Sequence, residues 1–206
     1  MLRSSRYVWP LAAVVGVLLA VIVAIGLAGG WAEADGARER DLPEVAAGEG
    51  IDLGPVRLSL HSWGVVPLED YRGEEPRVVA TLAIRATVTT TATESMNLPT
   101  HLVHLADVAE DGWLSAVRVD GLSRFSSLTP GVTEEVILTL PVADPAELEA
   151  LGDDDLELLP TAYEHAAHSL SGELGWWERD PIAVVAVPRD QSAFAAYVAA
   201  LAERNA

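Results

Sequence analysis

The sequence predicts a mainly β protein, in which one β-sandwich domain follows a single N-terminal membrane-spanning helix and precedes a short C-terminal helix. Three observations carry this prediction. An uncharged apolar run fills residues 10–30, apolar residues recur with a period of two from Ile51 onward, and Gly, Pro, Asn and Asp break that pattern into short segments. A chain of 206 residues accommodates one compact domain with appendages.

The first thirty residues carry only two charges, Arg3 and Arg6. As a helix, the roughly 20 residues from Leu11 to Gly30 rise about 30 Å, enough to cross the hydrocarbon layer of a bilayer. Tyr7, Trp9 and Trp31 stand at its two ends, where amphipathic rings favour the headgroup region, and the two arginines place the N-terminus in the cytoplasm. The expected order is a cytoplasmic tail over 1–9, a transmembrane helix over 10–30 with the lipid bilayer as its partner, and an extracytoplasmic linker over 31–50. The protein is thus expected at the cell membrane, single-pass, with its C-terminal domain outside. The rival reading is a secretory leader cleaved after Ala32-Glu33-Ala34, against which the apolar run is longer than the roughly 7–15 residues of a leader. Both readings export residues 35–206.

The exported part is acidic. Net charge is −18 overall, and all thirteen basic residues are arginines, scattered apart from Arg38/Arg40. A phosphate backbone would be repelled by that field, so nucleic acid is excluded as a partner. The chain has no cysteine, which removes disulfides, thiolate metal sites, cysteine nucleophiles and a lipidated-cysteine anchor.

The sandwich is expected over 51–189. Val78, Ala80, Leu82, Ile84, Ala86 and Val88 alternate with Thr81, Arg85 and Thr87, the pattern of a half-buried strand. Further strands are expected at 56–63, 101–108, 113–119, 135–140, 156–163 and 182–187. Seven short strands between turns are the pattern of a sandwich. A short helix is expected at Asp144–Gly152, with Asp144 as cap, Pro145 at the first helical position and Glu147 completing a capping-box-like pattern. A C-terminal amphipathic helix over 190–206 places Phe194, Tyr197, Val198 and Leu201 on one stripe, suited to packing on the sandwich.

The run Pro55-Val56-Arg57-Leu58-Ser59-Leu60, the Val78–Thr89 strand, the Thr129-Pro130-Gly131-Val132 turn before Glu135–Pro141, and the closing Ala183–Pro188 together resemble the immunoglobulin-like extracellular domains of uncharacterised, membrane-anchored proteins of actinobacterial type. The resemblance covers about residues 51–189. It implies an immunoglobulin-like β-sandwich, and it implies no activity. It departs from the pattern in two respects: related domains often hang from a lipidated cysteine, and the Cys-Trp-Cys pin is missing here.

Motifs for chemistry are sparse. No Gly-x-Ser-x-Gly elbow, Gly-rich phosphate loop or His-Glu-x-x-His helix occurs, so neither an enzyme nor a cofactor is expected. Asp153-Asp154-Asp155 lacks the spacing of a calcium loop and reads as a solvated turn. Two His-x-x-His pairs are present. His101 and His104 fall on an expected strand, where residues three apart face opposite sides, which defeats chelation. His165 and His168 with Glu164 follow Pro160, where a turn or bulge would gather them into a metal site. Satisfied or solvent-facing histidines are the ordinary alternative. Trp176-Trp177, if extended, put one ring on each face. Burial is the common fate of such rings, and an exposed one would anchor a partner. The expected function is a non-catalytic binding or scaffold module for a membrane or envelope protein. The alternative is an exported metal-binding protein using the His165/His168 region.

Overall fold

The structure, a computed structural model, describes residues 42–70, 77–106, 114–142, 146, 150–167, 172 and 174–204. The chain divides into two units, Met1–Leu42 and Pro43–Ala206. The transmembrane helix expected over 10–30 and the tail before it lie outside the described residues. Among the described residues, no helix is long and apolar enough to cross a membrane.

The second unit is a β-sandwich. Its first sheet joins β1 (Glu44–Ala46), β12 (Val184–Val187), β10 (Leu156–Ala167) and β11 (Leu174–Pro181) in that order, with β6 (Val103–Leu105) also paired to β10. The second sheet runs β2 (Ile51–Asp52), β3 (Val56–Asp70), β4 (Arg77–Thr90), β9 (Thr133–Pro141) and β7 (Ser115–Arg118). A two-stranded ribbon pairs β5 (Met96–Asn97) with β8 (Ser127–Leu128). Each of the seven expected strands has a counterpart. β1 is an addition: it lies in the stretch read as linker, yet pairs in parallel with β12 from Glu44↔Val184 to Ala46↔Ala186. The sandwich therefore begins before Ile51.

Alternation places the core. Leu58 and Leu60 of β3, Leu82, Ile84, Ala86 and Val88 of β4, and Val136, Leu138 and Leu140 of β9 form one buried cluster with Leu156 and Leu158 of β10 and Val185 and Val187 of β12. A register shift between Leu60 and Ser62 moves the inward set by one residue, so that Trp63 rather than Ser62 enters the core. Trp63 is fully buried, and its backbone joins the two sheets: its N–H donates to Pro188 O at 3.0 Å, and its carbonyl accepts from Asp190 N at 2.9 Å.

The β4 strand is not half-buried throughout. Thr81 and Ala83 on its outer face are fully buried as well, and the C-terminal segment packs on Ala83. A 3-10 turn (Gln191–Phe194) leads into helix α1 (Ala195–Arg204). Phe194 and Tyr197, with Val198 and Leu201 partly buried beside them, pack on Val66, Ala83 and Ile137 of β3, β4 and β9. The expected stripe thus packs on the sandwich. Asp190 caps the turn: its Oδ1 accepts from Ser192 N at 3.1 Å and Ala193 N at 3.3 Å. Of the helix expected at 144–152, Ala146 and Ala150 are helical, and the residues between them lie outside the described set.

The acidic turn is tied to the core. The Arg189 guanidinium bonds to Asp153 Oδ1 at 3.0 Å, and the Trp63 indole N–H donates to Asp154 O at 3.3 Å.

Candidate functional site

β10 changes role along its length. Leu156–Leu158 pair with β12, and Leu158–Pro160 pair with β6 on the opposite edge. Beyond a register irregularity between Thr161 and Tyr163, the strand continues as an antiparallel ribbon with β11. Leu158 and Thr161 are buried, whereas Glu164 and His165 are exposed.

The ribbon register fixes the predicted site residues. His165 opposes Trp176, Glu164 opposes Trp177 and Tyr163 opposes Glu178. Residues directly opposed share a face and successive residues alternate, so Tyr163, His165, Trp176 and Glu178 are on one face and Glu164 and Trp177 on the other. Trp176 and Trp177 are both half-buried, between the core packing and the free exposure that the sequence left open. The His165 ring lies 5.2 Å from that of Trp176. The Trp177 indole N–H donates to Ala166 O at 2.9 Å.

Of the metal set expected at Glu164, His165 and His168, this register places Glu164 and His165 on opposite faces, because a regular strand replaces the anticipated turn. Glu164 is held instead by Arg179, with N···O 2.7 Å. His168 lies outside the described residues.

The structure brings together the other histidine pair. β6 begins only at Val103, so His101 sits in the preceding turn, outside the period-two rule that would have turned it from His104. The two rings stack with centroids 5.8 Å apart and planes inclined by 21°. His104 Nε2 lies 3.2 Å from Glu178 Oε1. One ligand atom from each of His101, His104 and Glu178 lies within 4.8 Å of the others.

Tyr163 borders this group. Burial pushes its phenol up to about 12 from an ordinary 10.0, the negative charge of Glu178 adds to the rise, and a backbone hydrogen bond at His101 opposes it. The phenol therefore stays protonated and neutral across the physiological range.

A cleft of about 370 Å³ opens here, lined by the segment 96–101 together with Tyr163, Trp176, Trp177 and Glu178. Gly54 lets the chain pass beneath it: φ is +103°, and a Cβ at this position would stand 2.3 Å from Tyr163 O and 3.1 Å from the Trp176 ring. A second, more polar hollow of about 720 Å³ lies on the outer face of the other sheet, among His61, Arg85, Thr87, Glu135 and Asp190. Its groups satisfy one another: His61 Nε2 is 2.8 Å from Thr87 Oγ1, and Arg85 Nε donates to Glu135 Oε1 at 2.7 Å.

No family model matches the chain, and no curated protein matches it. Among solved structures, the chain is similar to an uncharacterised β-sandwich protein from Clostridium difficile 630, at 16% identity and a TM-score of 0.39, over 68% of this chain and 96% of that one.

Proposed function

We propose that the protein is a membrane-anchored, extracytoplasmic module with an immunoglobulin-like sandwich, which binds another cell-envelope component without catalysing a reaction. The observation that carries this reading is the cleft in which half-buried Trp176 and Trp177 stand beside Tyr163, His101 and Glu178. Large aromatic rings with polar edges give contact area at low entropic cost and dominate binding energetics where they meet a partner. The apolar run over 10–30 supplies the anchor, and 31–43 supplies reach from the bilayer. The acidic charge of −18 favours a neutral or basic partner surface over an acidic one. The absence of catalytic motifs from the sequence supports a binding role.

The test is in-cell crosslinking of the full-length protein, with mass spectrometry of what is captured, compared with a Trp176→Ala/Trp177→Ala variant. Circular dichroism establishes that the variant is folded. Specific capture of an envelope component by the native chain and its loss in the folded variant is the expected result. Equal capture by both, or capture of nothing specific by the native chain, would overturn the reading.

A further inference from the structure

We propose that His101, His104 and Glu178 form a binding site for one first-row divalent metal ion, with zinc the best match. The inference does not rest on the partner-binding reading above; it rests on the convergence of the His101/His104 pair with Glu178, 74 residues beyond His104.

Two imidazoles and one carboxylate are a donor set suited to zinc and its neighbours, which accept nitrogen and oxygen ligands without thiolate. A tetrahedral ion with bonds of about 2.1 Å holds its donors about 3.4 Å apart. His104 Nε2 and Glu178 Oε1, 3.2 Å apart, already match that spacing. The full set lies within 4.8 Å, so small rotations of His101 and Glu178 complete it.

The backbone favours the arrangement. His104 is fixed in register by β6, opposite Leu159 of β10, and Glu178 by β11, opposite Tyr163. His101 reaches the same place because it lies in the turn before β6. The side chains of His104 and Glu178 are 31% and 42% exposed, which leaves a path for an ion and a coordination position for water or a ligand atom. Such an open position distinguishes exchangeable sites from closed structural ones. His101 and Glu178 also line the cleft, so a ligand held there can reach the metal. The strongly negative net charge raises the local concentration of cations.

The test uses the full-length chain, solubilised in detergent and stripped with a chelator. Zinc chloride is titrated calorimetrically, and cobalt(II) reports the coordination environment by its visible absorption. The variants are His104→Ala, Glu178→Gln and His101→Ala, with His165→Ala as control, and each is checked for folding by circular dichroism and by its melting temperature in chelator.

One zinc per native chain is expected. Because losing even an outer partner of a metal ligand costs about 10–100-fold in affinity, each ligand variant is expected to raise the zinc Kd by about a hundredfold or more. The His165→Ala control keeps the native Kd, and tetrahedral cobalt absorption appears in the native chain and the control alone. Zinc also raises the melting temperature of the native chain and leaves that of His104→Ala unchanged. No stoichiometric zinc on the native chain would overturn the proposal. An unchanged Kd in folded His104→Ala and Glu178→Gln would also overturn it, by placing the ion elsewhere on the acidic surface. The crosslinking result above bears on the partner alone, so the two proposals fail separately.

Discussion

The attachment of the C-terminal segment to the sandwich depends on one missing methyl group. At Gly64 of β3, an added Cβ would stand 2.7 Å and 2.8 Å from two ring carbons of Phe194 and 3.0 Å from Gln191 Oε1. Ordinary contact begins at 3.4 Å, so the Phe194 ring would have to retreat by about 0.7 Å, and it is fully buried among Val66, Ala83 and Ile137. Gln191 has little freedom to yield, because its amide bonds to both Val65 N at 3.0 Å and Val65 O at 2.8 Å. Overpacking of this kind costs about 1–3 kcal/mol. Gly64→Ala should therefore lower the melting temperature by about 2–4 °C per kcal/mol for a domain of this size. Phe194→Ala alone should cost about 3–5 kcal/mol, the range for emptying a buried aromatic site. The two are neighbours and should not add. In the Phe194→Ala background the ring clash is gone and only the 3.0 Å approach to Gln191 Oε1 remains, so the cost should fall by at least about 0.5 kcal/mol, the lower end of coupling between neighbours. Urea unfolding of the four chains, followed by far-ultraviolet circular dichroism, completes the cycle. A neutral Gly64→Ala, or the same penalty in both backgrounds, would refute a clash that acts through the ring.

Two titrations follow from the same structure. Tyr163 has a folded-state value of about 12 against 10.0, so its neutral form is favoured by folding; its contribution is complete below pH 10 and is lost as the pH rises toward about 12. In a phenolate absorbance titration, Tyr163→Phe should remove a transition at about 12, and removal of one near 10 instead would contradict the burial argument. Asp190 is held below its ordinary 3.8 chiefly by the hydroxyl of Ser192, helped by the amides of Ala193 and Ser192 and by the charge of Arg85. Its stabilising effect is present above pH 3.8 and is lost as pH falls through the lower folded value. Amide exchange at Ser192 and Ala193 should therefore accelerate in acid, and Asp190→Asn, which keeps an accepting oxygen, should abolish that acceleration.

The parts of the fold legible in the sequence are those in which local pattern and tertiary role agree. The alternation of Leu82, Ile84, Ala86 and Val88 identifies both a strand and its inward face, and the spacing of Phe194, Tyr197, Val198 and Leu201 identifies the face that packs. The opposite face of β4 was less legible, since nothing in Ala83 announces that Phe194 will pack on it. β11 escaped for a related reason: Leu-Gly-Trp-Trp-Glu-Arg-Asp-Pro does not alternate, and it is extended because β10 pairs with it. β1 and β2 are three and two residues long, too short to carry a period.

The approach of His101 to His104 was missed where a rule about regular strands was applied one turn too early. Excluding His101/His104 required both to lie on the strand, whereas Val103 is its first residue. Glu178, 74 residues from His104, had no visible link to either, because the link is the register of three strands. Conversely, Glu164 and His165 looked promising only while the chain there was taken for a turn; a continuous β10 separates them.

This geometry makes metal and partner interdependent if both bind as proposed. Glu178 belongs to the β10–β11 ribbon beyond the irregularity at Thr161/Tyr163, whereas His104 belongs to β6, paired with the buried first half of β10. An ion held by both ties the ribbon to the body of the sandwich and fixes Trp176, two residues from its ligand. Ordering these elements before a partner arrives removes a cost the partner would otherwise bear, so the ion should tighten partner binding. Linkage then requires the partner to tighten metal binding by the same factor.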